Sequence, residues 1–323
     1  MASLVTVAGN ALSRRLNTIL GALVPALESE QDYELLADIK EAIRALLASI
    51  SDAEGLNTSM LPLLGWSVAR SLLPTSNLHF RAKHHTPSRR TSAMHLFATF
   101  CDETDMDISF YRVDWILQLI TSLDDRQQEV VEASWKALDV FVKSASKEDM
   151  ESLVVPLRRT IESTGSPGRN VPGFSFPKGP APLVPIILAG LTTGSNEQRE
   201  QAAYAIGDLV ERTDEQAIKP FVVPLTGPLI RVATQSTSYP APVKAAILVA
   251  LTTMLERIPQ FVKPFFPQLQ RTFVKSTADP VSFGVRTRAA VGIGALMRSQ
   301  PRVDPLVAEL YAADLHAYFH IDI

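Results

Sequence analysis

The chain has 323 residues, of which 46% are hydrophobic and 20% charged, with a formal net charge of −3. This composition is sufficient for a long core, and the slightly acidic balance argues against a chain that binds nucleic acid through a global basic field. A single cysteine, Cys101, excludes an internal disulfide framework and is typical of a reducing compartment. No apolar run reaches the roughly 18 residues that a membrane span needs, so we expect a cytoplasmic protein without membrane contact.

Helical periodicity begins near the amino terminus. Apolar residues recur every three to four positions over 10–28 and again over 32–50, which predicts a pair of helices. The pattern fails over 67–85 and resumes at Pro87, so we interpret 67–85 as an insertion. Two more helices are predicted over 111–122 and 128–144.

The stretch 163–182 is predicted to be a loop because it holds four glycines and five prolines. Phe174 and Phe176 lie among these prolines, which favours a loop pinned to the rest of the protein. The last residues, 311–323, break the helical pattern and are interpreted as a divergent tail.

One supersecondary unit is repeated in the second half of the chain. Paired alanines begin at Ala202, at Ala245 and at Ala289, with separations of 43 and 44 residues. The second and third pairs are each preceded by a Lys-Pro-Phe motif, at Lys219 and at Lys263. Two helices per 40 to 47 residues are typical of HEAT repeats. We therefore predict an all-α, armadillo-like HEAT-repeat α-solenoid (an α-α superhelix) that spans 1–310 as a single domain.

Residues that could support chemistry are scarce. His79, His84 and His85 form the one histidine cluster, and no cysteine or carboxylate stands at ligand spacing, so solvated loop histidines are favoured. The glycine-rich stretches lack the Lys-Ser/Thr of a phosphate-binding loop. No serine, cysteine or aspartate has the context of a catalytic nucleophile. We predict no catalytic residues, metal, cofactor or small-molecule substrate, and a binding protein in place of an enzyme.

Charge is distributed unevenly along the chain. Eight acids and two bases lie between Glu28 and Glu54, whereas eight bases and one acid, Asp279, lie between Arg257 and Arg302. These charges either solvate outer faces or steer partners of opposite sign. An adaptor that binds acidic peptides or ribosomal RNA through the basic repeats after Arg257 is therefore an alternative function.

Arg231 follows a break in its repeat. Thr226 fits a helix N-cap and Pro228 the first turn behind it, so a new helix is predicted to start there. Arg231 would then lie near the positive end of the helix dipole, where a cation is disfavoured. That placement favours a role in binding a partner carboxylate, although an ordinary surface arginine is the alternative.

Several segments resemble one known family, the general-control non-derepressible translational activators, which are giant HEAT-repeat proteins. The matching segments are Leu191-Thr-Thr-Gly-Ser-Asn-Glu-Gln-Arg-Glu-Gln-Ala-Ala, Lys219-Pro-Phe-Val-Val-Pro, Thr226-Gly-Pro-Leu-Ile-Arg231, Pro267-Gln-Leu-Gln-Arg-Thr-Phe-Val-Lys275 and Gln300-Pro-Arg-Val-Asp-Pro305. The resemblance is to the carboxy-terminal part of the family in its fungal form.

This resemblance implies a non-enzymatic scaffold. The family binds ribosomes and polysomes and carries the amino-acid-starvation signal to the kinase that phosphorylates initiation factor two. The part similar to this chain binds the amino-terminal RWD domain of that kinase. The resemblance implies that Arg231, the arginine of the Thr-Gly-Pro-Leu-Ile-Arg motif, is needed to bind that kinase. We predict further partner-binding residues in the same motif, Thr226, Gly227 and Pro228, and among the nearby bases, Lys263, Arg271 and Lys275.

Overall fold

The computed structural model describes residues 12, 15–60, 83–165, 168–235, 239–300 and 302–319. In these ranges the secondary structure is helical and no strand occurs. The chain divides into two compact units, Met1–Ala145 and Ser146–Ile323.

The first unit contains six helices in its described part. They are α1 (Leu16–Ser29), α2 (Tyr33–Ala48), α3 (Ala53–Thr58), α4 (Pro87–Glu103), α5 (Arg112–Ser122) and α6 (Gln128–Lys143). Helix α1 packs on α2, α2 on α4, and α4 on α6, while α5 pairs with α6. Trp115, Phe97, Phe100 and Phe141 fill the centre of this unit and are at most 1% exposed.

The second unit contains ten helices in its described part. They are α7 (Lys147–Ser163), α8 (Val184–Thr192), α9 (Asn196–Glu211), α10 (Glu215–Ile218), α11 (Val222–Thr234), α12 (Ala241–Arg257), α13 (Pro259–Val262), α14 (Phe266–Thr277), α15 (Phe283–Ser299) and α16 (Asp304–Phe319). Short 3₁₀ turns, Lys219–Phe221 and Lys263–Phe265, precede α11 and α14.

The helices of the second unit form two layers. Helices α8, α11, α14 and α16 pack side by side as one layer, the first-helix layer. Helices α7, α9, α12 and α15 form the other, the second-helix layer. Helices α8, α11 and α14 also pack on the second helices that follow them, α9, α12 and α15. This stack of helix pairs confirms the predicted all-α solenoid fold class.

The paired-alanine helices begin with local signals that the sequence contains. Ser195 caps α9 in a capping box with Gln198, and Ser282 accepts the Val285 N–H at the start of α15. Buried apolar side chains then recur along each helix toward the opposite layer. Since the two layers bury these faces against each other, burial holds the helices together.

The loop after α7 is pinned as predicted. Phe174 is fully buried, whereas Phe176 is half-buried. The Val171 N–H donates to the Arg212 carbonyl at 2.8 Å, and the Asp214 N–H donates to the Ser175 hydroxyl at 3.3 Å. The loop thus fastens to the end of α9.

Two predicted boundaries have different outcomes. Most of the predicted insertion lies in 61–82, outside the described residues, and the single-domain span 1–310 stays a prediction. The predicted tail does not break the helical pattern at residue 311, because α16 continues to Phe319.

Cys101 is buried on α4, and burial raises the pKa of its thiol, as expected of a structural cysteine. Within the described ranges, no single helix has the length and apolarity to cross a membrane. One pair bent by 114°, Ala241–Arg257 with Pro259–Thr277, passes that test by length and composition only.

Candidate protein-docking face

Helix α11 does not start at Thr226, and the N-cap prediction is wrong. The helix begins at Val222, directly after the 3₁₀ turn, and continues through Pro228. Thr226 is 0% exposed, and its hydroxyl lies 3.8 Å from the Met254 sulfur on α12. Because burial of one face against α12 outweighs the cost of an internal proline, the helix does not break there. The side chain of Thr226 is consequently turned away from any partner.

Arg231 lies in the last turn of α11. The negative end of the helix dipole is there, so a cation is favoured and not disfavoured. The helix dipole therefore gives no reason to expect a binding role for Arg231. Arg231 is exposed, and its guanidinium makes no ion pair or hydrogen bond with any residue that the structure describes.

The solvent-facing side of α11 has a simple composition. Val223, Gly227 and Arg231 follow one another at intervals of four, so they share one face of the helix. Val223 is 63% exposed. A side chain added at Gly227 would meet no atom within 4 Å, and Pro228 beside it is half-buried. This face therefore offers an apolar end, a bare centre and a cationic end.

Helix α14 has the equivalent outward positions, but its central one carries a cation. The Lys-Pro-Phe motifs that precede the two helices are 44 residues apart. The same shift places Pro267, Arg271 and Lys275 at the positions of Val223, Gly227 and Arg231, and all three are exposed. Since α11 and α14 are neighbours in the first-helix layer, Arg231 and Lys275 end adjacent helices on the same side.

The charge of this face is uncompensated. Helices α8, α11 and α14 contain no acidic residue. Arg271, Lys275 and the nearby Lys263 are exposed and, like Arg231, have no ionic partner among the described residues. Glu309 of α16 binds the amide of Gln270. We call the surface formed by Val223, Gly227, Pro228, Arg231, Pro267, Arg271 and Lys275 the basic face.

Most basic side chains of the second-helix layer differ from those of the basic face, because they contact acidic side chains or backbone carbonyls. Arg298 pairs with Glu256 at 2.8 Å, and Arg158 lies 3.2 Å from Asp208. Lys244 Nζ lies 2.8 Å from Asp279 Oδ2.

Arg286 contacts the turn that contains Asp279. Arg286 donates to the backbone carbonyl of Asp279 at 2.7 Å, while the carboxylate is bound by Lys244. Burial alone would raise the pKa of Asp279, but hydrogen bonds from Lys244, Ser282 and Val281 outweigh it and lower that pKa.

Metal-binding geometry is missing from the part of the chain that the structure describes. No group of three histidine, cysteine or acidic side chains there could hold a metal ion. The rings of His84 and His85 lie 4.1 Å apart, and His84 Nδ1 accepts the Thr86 N–H. His79 lies outside the described residues.

Two members of the basic face escape prediction from the sequence. Val223 and Pro267 are exposed, although an apolar residue in a helix of this kind is usually expected in the core. Aligning the two Lys-Pro-Phe motifs would have revealed them. The bases Arg271 and Lys275 mark the outward side of α14, and Pro267 and its equivalent Val223 lie four positions earlier on that side.

Comparison with known proteins identifies relatives of this chain. The family described as "Stalled ribosome sensor GCN1-like, HEAT repeats" matches residues 1–178. The eIF-2-alpha kinase activator GCN1 of Saccharomyces cerevisiae is 40% identical over 311 residues, which is 96% of this chain. Protein ILITYHIA of Arabidopsis thaliana is 35% identical over 321 residues. The stalled ribosome sensor GCN1 of Homo sapiens is 34% identical over 317 residues.

Coverage is unequal in these comparisons. The chain spans 11% of the length of each of these relatives, while the matches cover 96% of the chain. Among solved structures, a designed armadillo repeat protein aligns with 86% of this chain and 99% of its own, at 14% identity and a TM-score of 0.32. The fold class rests on the helices themselves.

The family match covers more than half of the chain, and it agrees with the resemblance inferred from the Thr-Gly-Pro-Leu-Ile-Arg and neighbouring segments. The chain belongs to the stalled ribosome sensor GCN1-like family of HEAT-repeat proteins.

Proposed function

We propose that this chain is a non-enzymatic, cytoplasmic scaffold segment that binds the amino-terminal RWD domain of the initiation-factor-two kinase. It thereby contributes to translational control when ribosomes stall or amino acids are scarce. The remainder of the full-length family protein supplies the contact with ribosomes. The yeast relative is named as an activator of the eIF-2-alpha kinase, and the human relative as a stalled ribosome sensor.

The observation that carries this proposal is the uncompensated charge of the basic face. Arg231, Arg271 and Lys275 extend from two adjacent helices that contain no acid. A partner with carboxylates on its surface would neutralise them, and the free guanidinium of Arg231 can hold one carboxylate through two parallel hydrogen bonds.

The apolar end of the basic face provides an uncharged surface that a partner protein can cover. Val223 is exposed on α11, and Pro267 occupies the equivalent position on α14. Protein interfaces combine an apolar centre with an arginine anchor. Thr226, which is buried, takes no direct part and instead fixes α11 against α12.

Titration of the purified RWD domain into this chain tests the proposal. Arg231→Ala should weaken binding by roughly tenfold to a hundredfold, since a hydrogen bond to a charged group contributes about 1.5–3 kcal/mol. Arg288→Ala is the matched control, because Arg288 is an exposed arginine on α15 in the other layer. Equal affinities of the Arg231→Ala and Arg288→Ala variants would refute the role of Arg231.

Binding of ribosomal RNA or an acidic peptide through the residues after Arg257 is the alternative. Lys263, Arg271 and Lys275 are exposed in that segment, but other bases there are already engaged. Arg286 and Arg298 are engaged by Asp279 and Glu256, and Arg257 lies near the carbonyl of Glu211. RNA binding would weaken steeply with salt, by roughly 0.7 logarithmic units per neutralised phosphate for each tenfold rise in salt. Salt titration with an RNA fragment distinguishes this alternative.

A further inference from the structure

Pro228 leaves one backbone acceptor of α11 without its usual donor. In an α-helix the carbonyl of each residue accepts a hydrogen bond from the N–H four positions later, and proline has no N–H. The carbonyl of Pro224 therefore lacks that partner, because Pro228 lies inside the helix. The equivalent position of α14, 44 residues later, is Thr272, which keeps its N–H, so this feature distinguishes α11 from its neighbour.

This acceptor belongs to an exposed residue beside the basic face. Pro224 is exposed, and Pro228 is half-buried. The space beside Gly227, where a side chain would stand, contains no atom within 4 Å. Arg231 follows Pro228 by three positions, so the two residues are neighbours on the helix surface. Pro224 and Arg231 are seven positions apart, which is two helical turns or ~10 Å along the axis, so they lie on the same side of α11. Because side chains of a helix lean toward its amino terminus, the guanidinium of Arg231 can reach back toward the carbonyl of Pro224.

We propose that the element bound by α11 is the first turn of an acidic helix in the partner. Arg231 binds a carboxylate of that turn, and the carbonyl of Pro224 accepts one of its main-chain N–H groups. The first turn of a helix has four N–H groups without an intrahelical acceptor, and acids are favoured there. One element therefore provides both groups. This inference rests on the proposed function and adds to it the chemistry of the partner.

The same pairing explains why a proline is useful at this position. A partner loop with carboxylates alone would need Arg231 and would leave the carbonyl of Pro224 to water. An internal proline costs a helix about 3 kcal/mol, and any residue with an N–H would remove that cost. The docking proposal alone gives no reason for the proline, whereas recognition of a helix first turn does.

Pro228→Ala tests this inference, because alanine supplies the missing N–H and closes the bond to Pro224. Affinity for the purified RWD domain should fall about fivefold, since a hydrogen bond contributes about 1 kcal/mol and 1.4 kcal/mol is a factor of ten. The melting temperature should rise, because alanine replaces proline in a helix interior. Weaker binding by a more stable variant cannot come from a damaged fold.

Pro224→Ala is the matched control. It makes the same exchange on the same helix, in the first turn, and it supplies no donor to the residue 224 carbonyl. Its affinity should equal that of the wild type. If Pro228→Ala binds like the wild type while Arg231→Ala binds weakly, the inference is overturned and the docking proposal stands. If neither variant loses affinity, or the wild type does not bind the domain, both are overturned.

Discussion

Lys244 and Asp279 form an ion pair of 2.8 Å that connects two successive repeats of the second unit. Lys244 is at the start of α12, and Asp279 lies in the turn between α14 and α15. The pair has a counterpart in the first unit, where Arg90 and Asp125 lie 2.8 Å apart. Both pairs are separated by 35 positions. In each unit, an ion pair of this kind therefore connects the second helix of one repeat to the turn of the next repeat.

Removing the charge of Asp279 should weaken its interaction with Lys244 and lower the stability of the protein. In Asp279→Asn the oxygen that accepts the N–H groups of Val281 and Ser282 remains, but Lys244 loses its counter-charge. The side chains of Lys244 and Asp279 are 18% and 7% exposed, so we expect a loss of about 2 kcal/mol, between the values for surface and buried pairs. Urea unfolding measures it, and Asp105→Asn, an exposed aspartate, should change stability by less than about 0.5 kcal/mol.

The effect of Asp279 should depend on pH. Its pKa in the folded protein is below the ordinary value of 3.8. The carboxylate of Asp279 therefore contributes its full stabilisation of the folded state above pH 3.8. This stabilisation is lost as the pH falls through the lower pKa of the folded protein. The stability difference between the wild type and Asp279→Asn should be constant from pH 7 to 5 and shrink below about pH 4. A difference that grows on acidification would contradict the assignment.

Two glycines in second helices should respond oppositely to alanine. A methyl group at Gly292 would lie 2.2 Å from the buried ring of Phe273, whereas at Gly207 the nearest atom is 3.8 Å away. In Gly292→Ala, overpacking should lower the free energy of unfolding by about 1–3 kcal/mol. Gly207→Ala should gain up to about 1 kcal/mol from helix propensity. Thermal unfolding of both variants tests this, and equal shifts would contradict close approach at Gly292.

Phe174 should hold the loop after α7 in place. Its ring is fully buried, so Phe174→Ala should remove about 3–5 kcal/mol of local packing. We expect trypsin to cleave the variant faster at Arg169 and Lys178, which lie on either side of the aromatic. Phe176→Ala, at a half-buried position, is the control and should be cleaved more slowly than Phe174→Ala.

Sequence reasoning succeeds where the signal is periodic. The paired-alanine lines and Lys-Pro-Phe motifs predict stacked helix pairs, because helices that share a buried face must repeat it at the same spacing. Phe174 is predicted correctly for a similar reason, since an aromatic residue among prolines needs a surface to cover it.

The failures come from contacts between distant positions. Thr226 fits an N-cap by its local sequence, but it packs on Met254, 28 positions later. That contact keeps α11 continuous, so Arg231 lies in the last turn of the helix and not in the first turn as predicted. The helix dipole therefore favours its positive charge. Lys244 is missed as the partner of Asp279 because the pair joins two repeats.

Site-specific photo-crosslinking tests most directly whether the basic face docks the kinase. A photoreactive residue can replace Val223 on α11 or Val291 on α15, which are 63% and 55% exposed, so both variants should fold. Docking on the basic face should give a covalent adduct with the RWD domain from position 223 and none from position 291. An adduct from position 291 with none from position 223 would contradict it.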